Sequence, residues 1–169
     1  MNGIKIVRSG ISVYEVEVDL GKYASVTTAQ LVGFKTRLLR TLPSLRQHEC
    51  YAGEVGGFAE ELTRGTDLAH VMEHVTLELL KLASGSGRRF TGWTRKKSKN
   101  HVIHFQAPDA RAAREATAGA VQVIQAVLDR RPIDARALVK AVRRSGNGVA
   151  VGAAVGAAKA GRREGRVPQ

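Results

Sequence analysis

The segment 67–85 restricts the fold of this chain more than any other. Leu68, Val71, Met72, Val75, Leu79 and Leu82 recur at helical intervals, and an apolar stripe of that period has to be buried against another layer of structure. Thr66 or Asp67 offers a side-chain oxygen to the first free amides, and Gly85 supplies a stop. His70, Glu73, His74 and Lys81 fall on a different side from the stripe. Positions i, i+3 and i+4 share one face of a helix, so two imidazoles and a carboxylate converge there.

H-x-x-E-H is the inverted order of the zinc peptidase motif. Two neutral imidazoles at this spacing can hold Zn²⁺ at about 2.0 to 2.1 Å, leaving the carboxylate between them free to take a proton from a polarised water. His and Glu are also ordinary on a solvated helix face, so a plain polar surface is the competing reading of the same residues.

Around this helix, segments 4–7 and 11–20 read as strands joined by a turn at Arg8-Ser9-Gly10. In the second strand Tyr14, Val16 and Val18 share one side, and Val13, Glu15 and Glu17 the other. A helix capped by Thr27 or Thr28 is expected to run to about Leu42, ahead of Pro43. Residues 44–57 read as a loop, 58–62 as a short helix, 86–99 as a basic glycine-rich loop and 101–105 as a strand. Asp109 opens a long helix to about Asp129, with Ala113, Ala116, Ala120, Val123, Ile124 and Val127 as its stripe. This order predicts an α+β fold, a small antiparallel or mixed sheet packed by helices in two layers. Pro132 marks a boundary: residues 1–131 are expected to form the α+β domain, and 132–169 a basic, Gly- and Ala-rich appendage. That appendage reads as a helix over 133–144 followed by a tail that is either loosely helical or flexible.

No apolar run approaches the roughly 18 residues of a membrane helix, and the first eight residues run into a strand pattern without the lead of a secretory signal. A cytoplasmic protein with no membrane partner is therefore expected. The one cysteine, Cys50, excludes an internal disulfide framework. The net charge of +12 is concentrated around Arg88, Arg89, Arg95, Lys96, Lys97 and Lys99 and again from Arg130 onward. Aromatic residues hardly interleave with either cluster and no nucleic-acid-binding signature is present, which argues against specific reading of DNA or RNA. Non-specific polyanion binding stays open.

Pro43-Ser44-Leu45, His48, Cys50, Gly56-Gly57-Phe58, Gly65-Thr66 and the run from His70 to Leu79, in this order and at these intervals, resemble the N-terminal domain of cyanophycin synthetases. Asp19-Leu20, Gly33-Phe34 and Arg37-Leu38 fit the same pattern, and 157–168 resembles the segment that leads into the ATP-grasp domain of those enzymes. The ligase domains that follow there have no counterpart here. The resemblance thus implies a free-standing version of the first domain that does not itself make cyanophycin, a poly-aspartate carrying arginine amide-linked to its side chains. It further implies a zinc-dependent peptidase acting on cyanophycin or a related peptide, with His70 and His74 as metal ligands and Glu73 as general base. The alternative is a non-catalytic module that holds the polymer or docks on a separate synthetase or ligase.

Inverted zinc peptidases take a third ligand from a later helix, and Glu115 is the acid best placed for it. Glu78 is the rival, but its α-carbon lies about 12 Å along the helix axis from that of His70. It is expected instead to steady a ligand from outside or to serve as a structural carboxylate. His48 and Cys50 match the resemblance and could approach the site, yet they read first as a buried hydrogen-bonded histidine and an inert buried thiol. His101 and His104 read as strand histidines, Trp93 with Arg95 as either a substrate grip or a solvated basic loop, and Glu54, Glu60 and Glu61 as either partners for arginine side chains or ordinary surface acids. No residue is assigned to substrate binding.

Overall fold

The computed structural model describes residues 4–9, 11–50, 53–85, 88–98 and 100–157. Four strands, β1 (Ile4–Ser9), β2 (Ile11–Val18), β3 (Gly92–Lys97) and β4 (Asn100–Gln106), form one sheet in the order β1-β2-β4-β3, every neighbouring pair antiparallel. Between and after them run α1 (Phe34–Thr41), α2 (Gly57–Arg64), α3 (Leu68–Ser84), α4 (Ala110–Leu128) and α5 (Ala135–Ala157). Tyr14 sits opposite Phe105, Val16 opposite Ile103 and Val18 opposite His101, and all six are buried. This is the sheet face that the alternation in β2 marks as inward. The α3 helix packs against β3 and β4 on one side and against α4 and α5 on the other. The result is the two-layer α+β architecture the element order predicts.

Local chemistry accounts for most boundaries. The Asp67 side chain accepts from the backbone amide of His70 at 2.9 Å and starts α3, and Asp109 does the same for Arg111 and Ala112 at the head of α4. Three expectations need correction. The helix expected from Thr27 is broken: a single 3-10 turn spans Thr28–Gln30, Leu31 becomes extended, and α1 begins only at Phe34. Half of the expected loop 86–99 is a strand, β3, because pairing with β4 imposes extended geometry on Trp93, Thr94, Arg95 and Lys96, which lack an apolar alternation. The last helix also passes its expected end at 144 and continues as α5 to Ala157. Arg143 on α5 donates to the carbonyls of Leu82 and Ala83 at 3.0 Å each and so satisfies the C-terminal end of α3. The tail from 158 onward, with its four basic residues, lies outside the described residues.

From Val71 to Leu80 every residue of α3 is buried. Each Leu or Val enclosed there contributes about 1.5 to 3 kcal/mol of hydrophobic stabilisation. The same enclosure takes Glu73, His74, Thr76 and Glu78 out of water, which is costly unless each finds partners. A solvated polar face is therefore not what this helix carries.

Candidate metal centre

His70 and His74 turn their Nε2 atoms toward each other at 3.1 Å. The third member of the group is Cys50, whose Sγ lies 3.4 Å from His70 Nε2. The Cys50 sulfur and one nitrogen from each histidine lie within 4.8 Å of one another. Tertiary packing delivers the thiol. The loop after the 3-10 turn Pro43–Gln47 is pinned to the head of α2 by a bond from the Phe58 amide to the His48 carbonyl at 3.2 Å. Gly57 makes the approach feasible, since a Cβ there would stand 3.2 Å from the Cys50 amide nitrogen.

Each imidazole is held from behind. His70 Nδ1 is 2.8 Å from Thr66 Oγ1, and His74 Nδ1 is 3.1 Å from His48 Nδ1. The Phe58 ring stacks on His74 at 3.9 Å and meets His70 edge-on at 6.0 Å. Burial, with the neighbouring charges of His70 and His48, pushes His74 down to about 2. Burial likewise lowers His70, against the opposing pull of Asp67 and Glu61. Both rings are thus neutral at physiological pH, the state a metal requires of its ligands. At 3.1 Å the two Nε2 atoms pair as donor and acceptor when one of them carries a proton, and both lone pairs become available to a cation once that proton sits on Nδ1. Donors about 2.0 to 2.3 Å from a tetrahedral metal ion stand roughly 3.3 to 3.6 Å apart; the 3.1 and 3.4 Å contacts come near that spacing, and the group of three could hold a metal ion.

Glu73 lies on the same cavity, of about 1370 Å³, as Cys50, His70 and His74. Its carboxylate accepts from Thr94 Oγ1 on β3 at 2.6 Å. At 5% exposure burial raises its carboxyl to about 7; the Thr94 bond opposes that and the Asp67 charge adds to it. A carboxyl poised there is matched to proton transfer near neutrality. Gly92 allows β3 to close over this residue, because a Cβ at that position would come within 3.3 Å of Glu73 Cγ and 2.8 Å of the His104 carbonyl.

Glu115 is not brought to this group. It sits on the exposed side of α4, whose inward face is Ala112, Ala113, Ala116 and Ala120, and it is absent from the cavity wall. The apolar stripe that docks α4 on α3 turns Glu115 outward. Glu78 is fully buried, about one turn past His74 on the motif helix, and accepts from His48 Nε2 at 2.6 Å, from the Ser44 hydroxyl, and from Lys81 at 3.5 Å. Burial pushes its carboxyl up, but the His48 and Ser44 bonds with the charges of His48 and Lys81 outweigh that and hold it below the usual range.

Cys50, read from the sequence as an inert thiol, thus stands 3.4 Å from His70, whereas His48 is the hydrogen-bonded histidine expected, with His74 and Glu78 as its partners. Their place inside the run of matching motifs, ahead of Gly57 and His70, was the one available signal. His101 lines the cavity with Nε2 3.9 Å from Asp67, whereas His104 lies on the opposite sheet face beneath Trp93, rings 4.8 Å apart. Glu61 reaches the cavity wall; Glu60 is exposed and pairs with Arg64, and Glu54 is exposed.

The two-layer fold and the paired histidines of α3 are accompanied by a family match. The model of the cyanophycin synthase-like N-terminal domain matches residues 15–129, and the chain belongs to that family. Among its relatives, the cyanophycin synthetase of Crocosphaera subtropica is 35% identical over 117 residues, covering 68% of this chain and 13% of that enzyme. The cyanophycin synthetase of a Synechocystis species is 34% identical over 119 residues, again covering 68% and 13%. The chain therefore spans only a small part of the length of the curated relatives it matches. No helix among the described residues is long and apolar enough to cross a membrane.

Proposed function

We propose that this chain is a zinc-dependent amide hydrolase acting on cyanophycin or a related peptide, with Cys50, His70 and His74 as the protein ligands and Glu73 as general base. The observation that carries the reading is the convergence of one thiol and two imidazole Nε2 atoms beside a buried carboxyl on one cavity. A bound divalent cation supplies Lewis-acid polarisation of a water and of the scissile carbonyl. Glu73 takes the proton from the attacking water and delivers it to the leaving amine. Thr94 fixes the rotamer of Glu73 through its 2.6 Å bond, and Phe58 excludes water from behind the histidines. Glu115 has no part in this ligand set; Cys50 takes the place foreseen for it.

Membership of this family supports a cyanophycin-like substrate, and the cavity wall is compatible with it. Glu61 and Asp67 line it together with Lys81, Arg89 and Lys96, so both the carboxylate and the guanidinium groups of such a polymer find opposite charges. The reaction is assigned to the cytoplasm, where a thiol ligand stays reduced.

The test joins metal analysis of the purified chain to incubation with cyanophycin, with Glu73→Gln as the control. The native chain is expected to retain zinc and shorten the polymer. The variant should retain zinc and lose on the order of 10² to 10⁴ in rate. Equal, zinc-independent behaviour of the two, with polymer bound and uncut, would replace the hydrolase by a non-catalytic module that holds polymer or docks on a separate synthetase.

A further inference from the structure

Behind His74 runs a chain of contacts that the proposed reaction does not use. Glu78 Oε2 is 2.6 Å from His48 Nε2, and His48 Nδ1 is 3.1 Å from His74 Nδ1. His74 Nε2 then faces His70 Nε2 and the Cys50 thiol. Glu78 has no exposure at all, and a carboxylate is rarely enclosed in this way unless it is held by several donors. Here the donors are Ser44, His48 and Lys81.

The order of the contacts determines where the protons lie. Glu78 has only acceptor oxygens to offer, so His48 places its proton on Nε2 and leaves a lone pair on Nδ1. That lone pair meets His74 Nδ1, which then has to donate. A neutral imidazole with its proton on Nδ1 carries its lone pair on Nε2. We propose that Glu78 and His48 are positioning residues which, acting in series, lock His74 in the tautomer that presents Nε2 to a cation. This extends the usual carboxylate–histidine–metal arrangement by one ring, and it gives His48 a role that burial alone does not. His70 has no such chain: Thr66, a hydroxyl that can either donate or accept, stands behind it. His74 is therefore the ligand whose orientation is dictated, and His70 the one that adapts.

The inference rests on the zinc reading of the site, and its test separates the two. Zn²⁺ alone is titrated into the full chain and into His48→Leu, His48→Asn and Glu78→Met, while imidazole ¹⁵N spectra report the tautomer of His74 with and without zinc. Native protein is expected to show the His74 proton on Nδ1. His48→Leu and Glu78→Met, which leaves His48 Nε2 without its carboxylate acceptor, should weaken zinc binding by roughly 10- to 100-fold and mix the His74 tautomers. His48→Asn, which restores an acceptor near the Nδ1 position, should recover part of that loss. Failure of native protein to bind zinc would remove the metal reading itself. Native binding with the variants within about twofold and an unchanged His74 tautomer would overturn the relay alone. If His48→Leu does not fold, Glu78→Met, of similar length, decides. Lower melting temperatures with an intact tautomer would reduce both residues to packing.

Discussion

The α3 and α4 helices lie side by side, are 17 and 19 residues long, and each begins with an aspartate that caps its first amides. They treat polar side chains in opposite ways. In α4 the inward stripe is small and aliphatic, alanines followed by Val123, Ile124 and Val127 with Thr117 as its one buried polar residue, while Arg111, Arg114 and Glu115 stand in solvent. In α3 Glu73, His74, Thr76 and Glu78 are enclosed. An outer helix has a free face on which charge costs little; a helix gripped between a sheet and two other helices has none. Polar groups in the second position survive only with partners. Glu73 has Thr94, His74 has His48, and Glu78 has Ser44, His48 and Lys81.

The contrast can be broken first at its apolar seam. Leu79 is fully buried, and a Cβ on Gly119 of α4 would come within 2.9 Å of its Cδ1. Leu79→Ala should cost about 2 to 5 kcal/mol in urea unfolding while leaving zinc affinity of the folded fraction unchanged. A large loss of affinity would show that the two sides of α3 are not separable. Next in size is the metal itself: free Zn²⁺ at a hundred times its dissociation constant should add about 2.7 kcal/mol to the native chain. Cys50→Ser combined with His70→Ala should show no such gain, and an equal gain would place the ion elsewhere.

A smaller effect follows from pH. In the metal-free native chain Glu73, raised to about 7 from 4.5, keeps a proton that the unfolded chain has lost. That term favours the native state below 4.5 and fades as pH rises through 7. His74, lowered to about 2 from 6.5, works the other way, because the unfolded chain takes up a proton below 6.5 that the folded ring refuses. Between 4.5 and 6.5 the two oppose each other. Removing the first with Glu73→Gln should make stability fall more steeply on acidification, by up to about 1.4 kcal/mol per pH unit. Parallel profiles would show that Glu73 does not carry the extra proton. The smallest effect belongs to α4: Glu115→Gln is expected to stay within about 0.5 kcal/mol in stability and to leave zinc content untouched, whereas loss of zinc would return Glu115 to the ligand set.

Much of the scaffold was legible before any coordinates. The period of Leu68, Val71, Met72 and Val75 specified α3, the alternation of Tyr14, Val16 and Val18 specified the inner face of β2, and the Thr66-Asp67 pair and Asp109 marked the helix starts. Each is a local rule, dependent on residues a few positions apart. The strand character of β3 was not legible, since Gly92 to Lys97 carries no apolar alternation and is held extended by its neighbour.

Within the site, helical spacing alone put His70, Glu73 and His74 on one face, because a helix fixes the direction of side chains one turn apart. What enters from other elements was decided by tertiary structure. Cys50 arrives because Gly57 and the Phe58 amide hold its loop against α2, and His48 because Glu78 captures it from across the core. Glu115 departs because the alanines beside it prefer α3 to water. The contacts that bring Cys50 to His70 and His48 to Glu78 join residues 20 and 30 positions apart, and the packing that selects among them has no periodic trace in the chain.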